Sequence, residues 1–300
     1  MSTLEKETIM KISRILFVII IASVLTSCAG SKLIEEGNTA FKDGNYETAL
    51  NNYDQIIEDK ESTGKKAKAI VYMNAGKAAL EIEQVEKAQK YLESAKGLGY
   101  SSADLYASLA KVYKIIDNLS KEITVLEIYR ERFPQSELIN SITIRLFETY
   151  VESENWDLAN DLWPALKEQA QTNSKLLAGY LTVNKNLENE AIADQLANQI
   201  LKMDKNNTIA LEYYAEKYFW KAENLYTTEM NAYKKNRTTK QYNKLLKALD
   251  EVWPNFQKSR DYFLRLYKID PKPEYAKYLG NIYTRYDDKE KAAYYYKRAN

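Results

Sequence analysis

The side chains that could do acid–base or metal chemistry are few in kind in this chain. The sequence has no histidine and a single cysteine, Cys28, so it lacks the imidazole that serine–histidine catalysis, cysteine–histidine catalysis and the common zinc sites need. Two carboxylates suffice to cleave a glycosidic bond, but no pair is distinguished by its spacing. Asp287 and Asp288 lack the following ligands and the glycine of a calcium loop. We therefore expect a non-enzymatic protein with no catalytic residue, no metal and no cofactor.

Cys28 follows an N-terminal segment that is typical of export signals. Lys11 and Arg14 precede an eleven-residue apolar run, Ile15–Leu25, and a membrane-spanning helix needs about 20 such residues. The residues Leu25-Thr26-Ser27-Cys28 resemble a bacterial lipobox. The resemblance implies cleavage before Cys28, which is then acylated and holds the protein on a membrane. A plain secretory signal or a buried thiol is the alternative.

The residues around this signal bear on where the protein is located. Residues 1–27 are the predicted signal peptide, with translation starting at Met1 or Met10. The residues after Cys28 are Ala29-Gly30-Ser31-Lys32 and contain no acid. The acid-rich surface-export signal of some Bacteroidota-like lipoproteins is therefore missing. We expect a lipid anchor at the periplasmic face of a Gram-negative outer membrane.

The composition of the chain favours helices. Nine glycines and five prolines in 300 residues are few for an all-β or Rossmann-type chain, which needs glycine at strand ends and phosphate loops. A hydrophobic content of 45% excludes intrinsic disorder.

Small residues recur at a fixed spacing through the chain. Gly37 and Ala49, Gly76 and Ala88, and Gly280 and Ala292 each lie twelve residues apart. With their neighbours, such as Gly44-Asn45-Tyr46 after Gly37, they resemble the tetratricopeptide repeat. Repeats start near residues 30, 69, 103, 140, 174, 208 and 273, and three of the six intervals equal that family's period of 34. Small residues are expected where the two helices of a hairpin touch.

The resemblance implies an all-α fold, an α-solenoid of about seven helical hairpins over residues 28–300. The last interval is 65 residues, so one hairpin carries an insertion at about 223–254. We expect an extended arm with helices over 208–235 and 240–269 and kinks at Pro254 and Pro164. One apolar stripe of the second arm helix is predicted to comprise Tyr242, Leu245, Leu246, Leu249, Val252 and Phe256.

Tetratricopeptide arrays generally bind peptides along the first helices of their hairpins, and the resemblance transfers those groove positions to this chain. The carboxylate-clamp version of the groove is only partly present, because Asn38 and Asn74 fit it but Ile34, Asp104 and Ser108 do not. The principal predicted groove residues are Asn38, Lys42, Met73, Lys77, Lys111, Lys114, Glu148, Glu152, Lys185 and Trp220.

Charge is unevenly distributed along the chain. Residues 33–200 have a formal net charge of −9, and residues 201–300 have +8. The predicted arm tip carries Lys234, Lys235, Arg237 and Lys240, which could contact an acidic partner or anionic glycans and lipids. Basic residues interleaved with tyrosine also suit nucleic acid, but the export signal argues against that partner.

These patterns together predict a lipid-anchored adaptor that binds envelope proteins or peptides and attaches to the membrane through Cys28. The alternative is a carbohydrate-binding lipoprotein of a glycan-uptake system, although that family is normally longer and adds a ligand-binding domain. The oligomeric state is left open by the sequence.

Overall fold

The computed structural model describes residues 31–299, and every regular element among them is helical. The chain divides into two compact units, one ending at Thr149 and one beginning at Tyr150. The described helices follow one another as seven hairpins, with the second helix of the fourth hairpin divided in two, which confirms the all-α fold of helical hairpins. The predicted signal peptide and Cys28 lie outside the described residues.

The helices of the first unit pair in chain order. They are α1 (31–42), α2 (Tyr46–Ser62), α3 (Ala69–Glu81), α4 (Val85–Gly97), α5 (Ala103–Ile115), α6 (Leu119–Arg132) and α7 (Ile139–Glu152), whose last residues belong to the second unit.

The second unit contains the longest helices of the described chain. Its elements are α8 (Trp156–Leu162), a 3₁₀ segment (Trp163–Ala165), α9 (Lys167–Ala170), α10 (Ser174–Asn186), α11 (Glu190–Met203), α12 (Thr208–Lys235), α13 (Thr239–Ile269), α14 (Pro273–Arg285) and α15 (Lys289–Ala299). In the part of the chain that the structure describes, no helix is long and apolar enough to cross a membrane.

Most hairpins turn through the same backbone conformation. A residue with positive φ ends the first helix, and the residue directly after it closes the turn: Gln84 N–H donates to the Ala79 carbonyl at 2.9 Å, and Asn118 N–H donates to the Tyr113 carbonyl at 2.8 Å. This is the Schellman arrangement, which satisfies carbonyls that a helix end leaves open. The left-handed residues are Gly44, Glu83, Asp117, Glu154, Glu188 and Asp287. The first five are separated by 39, 34, 37 and 34 residues, which are the intervals of the predicted repeats.

The glycines of the repeat lie where two helices of a hairpin touch. A Cβ atom at Gly76 would lie 2.6 Å from Cγ of Leu92, and one at Gly280 would lie 2.7 Å from the ring of Tyr296. Both distances are too short for real atoms, so only glycine permits this approach of the backbones. Ala88, twelve residues after Gly76, is fully buried.

The extended hairpin is formed by α12 and α13, and their bounds confirm the predicted arm to within one residue. At its base, Phe219, Val252, Phe256 and Phe263 share a buried apolar cluster with residues of α14 and α15. Within the described residues, that cluster includes none of residues 227–248. The outer part of the hairpin therefore depends mainly on packing between its own two helices.

The apolar stripe predicted for α13 is only partly buried. Leu245, Val252 and Phe256 are buried as expected, but Tyr242 is 45% exposed and Leu246 is 43% exposed. Both lie on the outer half of the arm, where α12 alone packs against α13 and cannot cover a broad stripe.

The two prolines act differently. Helix α13 continues through Pro254, and the predicted kink there stays a prediction. Pro164 instead stands in the 3₁₀ segment that divides α8 from α9, so that prediction of a kinked helix was wrong. Proline lacks the amide hydrogen that would continue α8. The break accompanies parallel stacking of Trp163 on Tyr180, with ring centroids 3.8 Å apart.

Candidate functional site

Some side chains of the predicted groove in the first unit form hydrogen bonds with other residues of the protein. Oδ1 of Asn38 on α1 accepts from the Tyr53 hydroxyl at 2.8 Å and from Nδ2 of Asn74 on α3 at 3.0 Å. The two asparagines that matched a carboxylate clamp therefore bind each other. This network connects α1, α2 and α3. The Oδ1 atom of Asn38 therefore already accepts two hydrogen bonds within the protein.

Lysines of the same surface pair with acids on the neighbouring first helix. Nζ of Lys77 on α3 lies 2.7 Å from Oδ2 of Asp104 on α5, and Nζ of Lys111 lies 3.8 Å from Oε1 of Glu81. Exposed pairs of this kind stabilise a protein by about 0–1 kcal/mol each. They balance the charge of the surface, while Lys42 and Lys114 are exposed at its edge.

Met73 was wrongly placed among the surface residues of this groove. Its side chain is only 2% exposed, and it packs in the core of the first unit. Helix α3 is buried on several sides, since Val71, Tyr72, Ala75 and Ala79 are buried as well. Because neighbouring helices pack against α3 on both sides, less of its surface is exposed than the pattern of a single repeat predicts.

The predicted acidic positions of α7 have different surroundings. Glu148 is half-buried and lies 3.4 Å from the guanidinium of Arg145, whereas Glu152 is exposed. Arg145 also holds both carboxylate oxygens of the buried Glu122, at 2.6 and 2.9 Å. Glu148 thus belongs to a structural ion-pair network as much as to a binding surface.

Trp220 is the most distinctive residue of the predicted groove. It lies on α12 and is 49% exposed, although it is among the largest apolar side chains. It lines three cavities: one of about 270 Å³ formed with α10 and α11, and two of about 270 and 370 Å³ formed with α14 and α15. The neighbouring ring of Phe219 is buried and packs edge-on against Trp220, with centroids 5.2 Å apart.

Charged side chains around these cavities are paired within the protein. In the first cavity, Nζ of Lys185 lies 2.6 Å from Oε2 of Glu216. Lys217 lies 2.7 Å from Oε1 of Glu190 and also binds Asp194. Burial alone would lower the pKa of Lys217, but its hydrogen bonds to Asp194 and Glu190 raise it. The amine therefore stays charged and held in place.

A second paired position lies on the other side of Trp220. Arg285 of α14 binds both carboxylate oxygens of Glu223 on α12, and its guanidinium lies 4.5 Å from the ring centre of Tyr226. The pKa of the half-buried Glu212, also on α12, is raised mainly by burial and second by the negative charge of Glu216. The exposed features of this region are thus the indole of Trp220 and the cavities beside it.

The predicted arm tip lies at the outer end of α12 and α13. Lys234 and Lys235 are in the last turn of α12, Arg237 is in the connection, and Lys240 is in the first turn of α13. All four are exposed. Sequence reasoning missed Lys244 and Lys247, which lie on the same face of α13 as Lys240 because they follow at helical spacing.

The described residues contain no group of three or more cysteine, aspartate or glutamate side chains that could hold a metal ion. The ion pairs around Trp220 each join a cation with an acid, so they balance charge locally.

Comparison with known proteins concerns the fold. No family model and no curated protein matches the chain. A solved structure of MamA from AMB-1 matches with 15% identity and a TM-score of 0.50, covering 60% of this chain and 93% of that one. The chain is similar in fold to tetratricopeptide repeat proteins.

Two further solved structures illustrate the range of these neighbours. YrrB, described as a tetratricopeptide repeat protein with an unusual peptide-binding site, has 19% identity and a TM-score of 0.49 over 61% of this chain and 96% of its own. A tetratricopeptide repeat protein from Parabacteroides merdae has 15% identity and a TM-score of 0.46 over 90% of this chain and 92% of its own.

Proposed function

We propose that this protein is a non-enzymatic adaptor that binds extended segments of other envelope proteins at the surface around Trp220. The observation that supports this role is a half-exposed indole that lines three adjoining cavities of one compact unit. Tryptophan is strongly enriched among the residues that carry most of the binding energy at protein interfaces. An exposed indole with space on both sides has the shape of such an anchor.

The cavities indicate the kind of segment that would bind. Each is large enough for side chains of an extended chain and too small for a folded domain, at about 270–370 Å³. Because Lys185, Lys217 and Arg285 are already paired, a ligand gains little by presenting carboxylates to them. We infer that the bound segment contributes apolar or aromatic side chains on either side of the indole.

Attachment to the membrane is the second part of the proposal. The lipobox-like residues before Cys28 and the absence of acids directly after it support an acylated protein at the periplasmic face of the outer membrane. An anchored adaptor would hold its partners near the bilayer.

Selection of a random peptide library on the full chain tests the binding role. We expect selected peptides to carry apolar or aromatic residues and Trp220→Ala to weaken them by about 30-fold or more, since loss of an anchor residue costs about 2 kcal/mol or more. Leu158→Ala is the matched control, because Leu158 is a similarly exposed apolar residue on α8 that lines none of the three cavities. Equal affinities of the wild-type chain and Trp220→Ala would contradict the proposed site.

A further inference from the structure

The tip of the α12–α13 arm is a cationic surface. Six cations lie within residues 234–247, namely Lys234, Lys235, Arg237, Lys240, Lys244 and Lys247, and all six are exposed. In the same stretch there is no acid. The nearest acids along the chain are Asp250, three residues after Lys247, and Glu229, which accepts a hydrogen bond from Nε2 of Gln241 at 3.1 Å.

The contrast with the rest of the chain makes this charge notable. Several lysines near Trp220 and along the first unit pair with acids on neighbouring helices, as Lys77 does with Asp104 and Lys185 with Glu216. The chain as a whole has a formal net charge of only +1. The tip therefore concentrates positive charge that the remainder of the protein offsets at a distance.

The tip also projects beyond the packed part of its own unit. Helix α12 has 28 residues and α14 has 13, so they measure about 42 Å and about 20 Å at 1.5 Å per residue. The apolar cluster shared with α14 and α15 includes no described residue between 227 and 248. A surface that approached the end of the arm would meet the cations first.

Two exposed apolar side chains accompany the cations. Tyr242 and Leu246 are one helical turn apart on α13 and are 45% and 43% exposed. The ring of Tyr242 lies 5.6 Å from that of Tyr233 on α12, which holds it at the side of the tip. Aromatic and aliphatic side chains beside lysines are typical of segments that lie in the boundary between lipid headgroups and acyl chains.

We propose that the arm tip binds the surface of a bilayer rich in anionic phospholipid. Five of the six cations are lysines, and lysine is depleted at protein interfaces while arginine is enriched there. The ammonium group of lysine is a flexible point charge and can bind lipid headgroups in many orientations. The planar guanidinium of arginine is better suited to form two hydrogen bonds with a carboxylate on a protein. The composition of the tip thus favours lipid over an acidic protein.

Vesicle binding by the full chain carrying Cys28→Ser tests this proposal, since that change prevents acylation. The probes are vesicles of phosphatidylcholine alone and of phosphatidylcholine with roughly one third phosphatidylglycerol. Because Lys11 and Arg14 beside the run Ile15–Leu25 are also attracted to anionic lipid, the contribution of the tip is measured by comparing the tip variant with the matched control below. We expect tighter binding to the anionic vesicles and a decrease of that difference as salt is added.

Two variants locate the contribution. Replacing Lys234, Lys235, Arg237 and Lys240 by Gln together should weaken binding to anionic vesicles about tenfold or more. The matched control removes the same charge elsewhere, by replacing the exposed lysines 65, 66, 96 and 167 by Gln, and should retain most of the affinity. Tyr242→Ser with Leu246→Ser should reduce the part of the binding to anionic vesicles that persists in high salt.

Three results would overturn the proposal. The first is equal binding to the two kinds of vesicle, and the second is an equal loss of affinity in the tip variant and the matched control. The third is tip-dependent binding of poly-glutamate without binding to anionic vesicles, which would assign the tip to an acidic protein. Circular dichroism of each variant checks that the helices are retained.

Discussion

The hydroxyl of Tyr213 on α12 donates a 2.8 Å hydrogen bond to Oδ1 of Asp194 on α11. The same relation recurs in the first unit, where the Tyr113 hydroxyl donates to Glu93 at 2.9 Å. In both places the carboxylate also binds a lysine. Asp194 binds Lys217 on α12, and Glu93 binds Lys121 on α6. A tyrosine that donates to an acid of the preceding hairpin is thus one way in which successive hairpins are connected.

These tyrosines make stability depend on alkaline pH. Burial, followed by the hydrogen bond to the carboxylate, raises the pKa of Tyr213 and of Tyr113 above the ordinary value, and burial with the charge of Asp194 raises the pKa of Tyr214 to about 12. Above about pH 10 the unfolded chain loses tyrosine protons that the folded chain retains. The stabilisation is therefore complete below pH 10 and is lost as the pH rises through the folded-state pKa values.

We expect the free energy of unfolding to fall steeply between about pH 10 and about pH 12, measured by denaturant titration followed by circular dichroism. Tyr213→Phe should make that fall less steep, while Tyr242→Phe on the exposed arm serves as the control. A stability that is constant across this range would contradict the explanation.

A substitution at Gly76 tests the contact between helices. Gly76→Ala places a Cβ atom 2.6 Å from Cγ of the buried Leu92, so α3 and α4 must separate or repack, at a cost of about 1–3 kcal/mol. Gly97→Ala in α4 is the control, because no atom lies within 4 Å of its added Cβ. There the loss of glycine's freedom in the unfolded chain should stabilise the protein by about 0.4–1 kcal/mol. Equal melting temperatures of the two variants would rule out this helix register.

The buried carboxylate of Glu122 depends on Arg145. Glu122 is 2% exposed, and Arg145 binds both of its carboxylate oxygens. Arg145→Met would leave the buried carboxylate charge unpaired and destabilise the protein by about 3–5 kcal/mol. The double variant Glu122→Leu with Arg145→Met should recover most of that loss, because both charges are then removed. Lys60→Met, which breaks the exposed pair with Asp59, should change the free energy of unfolding by no more than about 1 kcal/mol. If Arg145→Met were as mild as Lys60→Met, the pair would be structurally unimportant.

The proposed acyl anchor has a direct test. Cys28→Ser should release the protein from the membrane fraction of cells that export it, because acylation then cannot occur. Its circular dichroism and melting temperature should equal those of the wild-type chain. Undiminished membrane retention after a high-salt wash, which removes the expected contribution of the arm tip, would argue against lipidation at Cys28.

The sequence determined the helical repeats and the extent of the arm. Both follow from local rules. Small residues such as Gly76 and Ala88 recur twelve residues apart, where the paired helices touch. The break around residues 236–239 ends one long helix and begins the next. Such signals need only neighbouring residues and a constant helical period. The predicted ends of α12 and α13 were therefore accurate to within one residue.

The tertiary structure decided which of these residues are available to a partner. Met73 is covered by packing within the first unit, and Asn38 is bound to Asn74 from the next hairpin, 36 residues away. Trp220 is distinguished from other apolar groove residues only by the cavities that α10, α11, α14 and α15 leave beside it. Exposure and pairing depend on residues distant in sequence, and the periodicity of one helix contains no information about them.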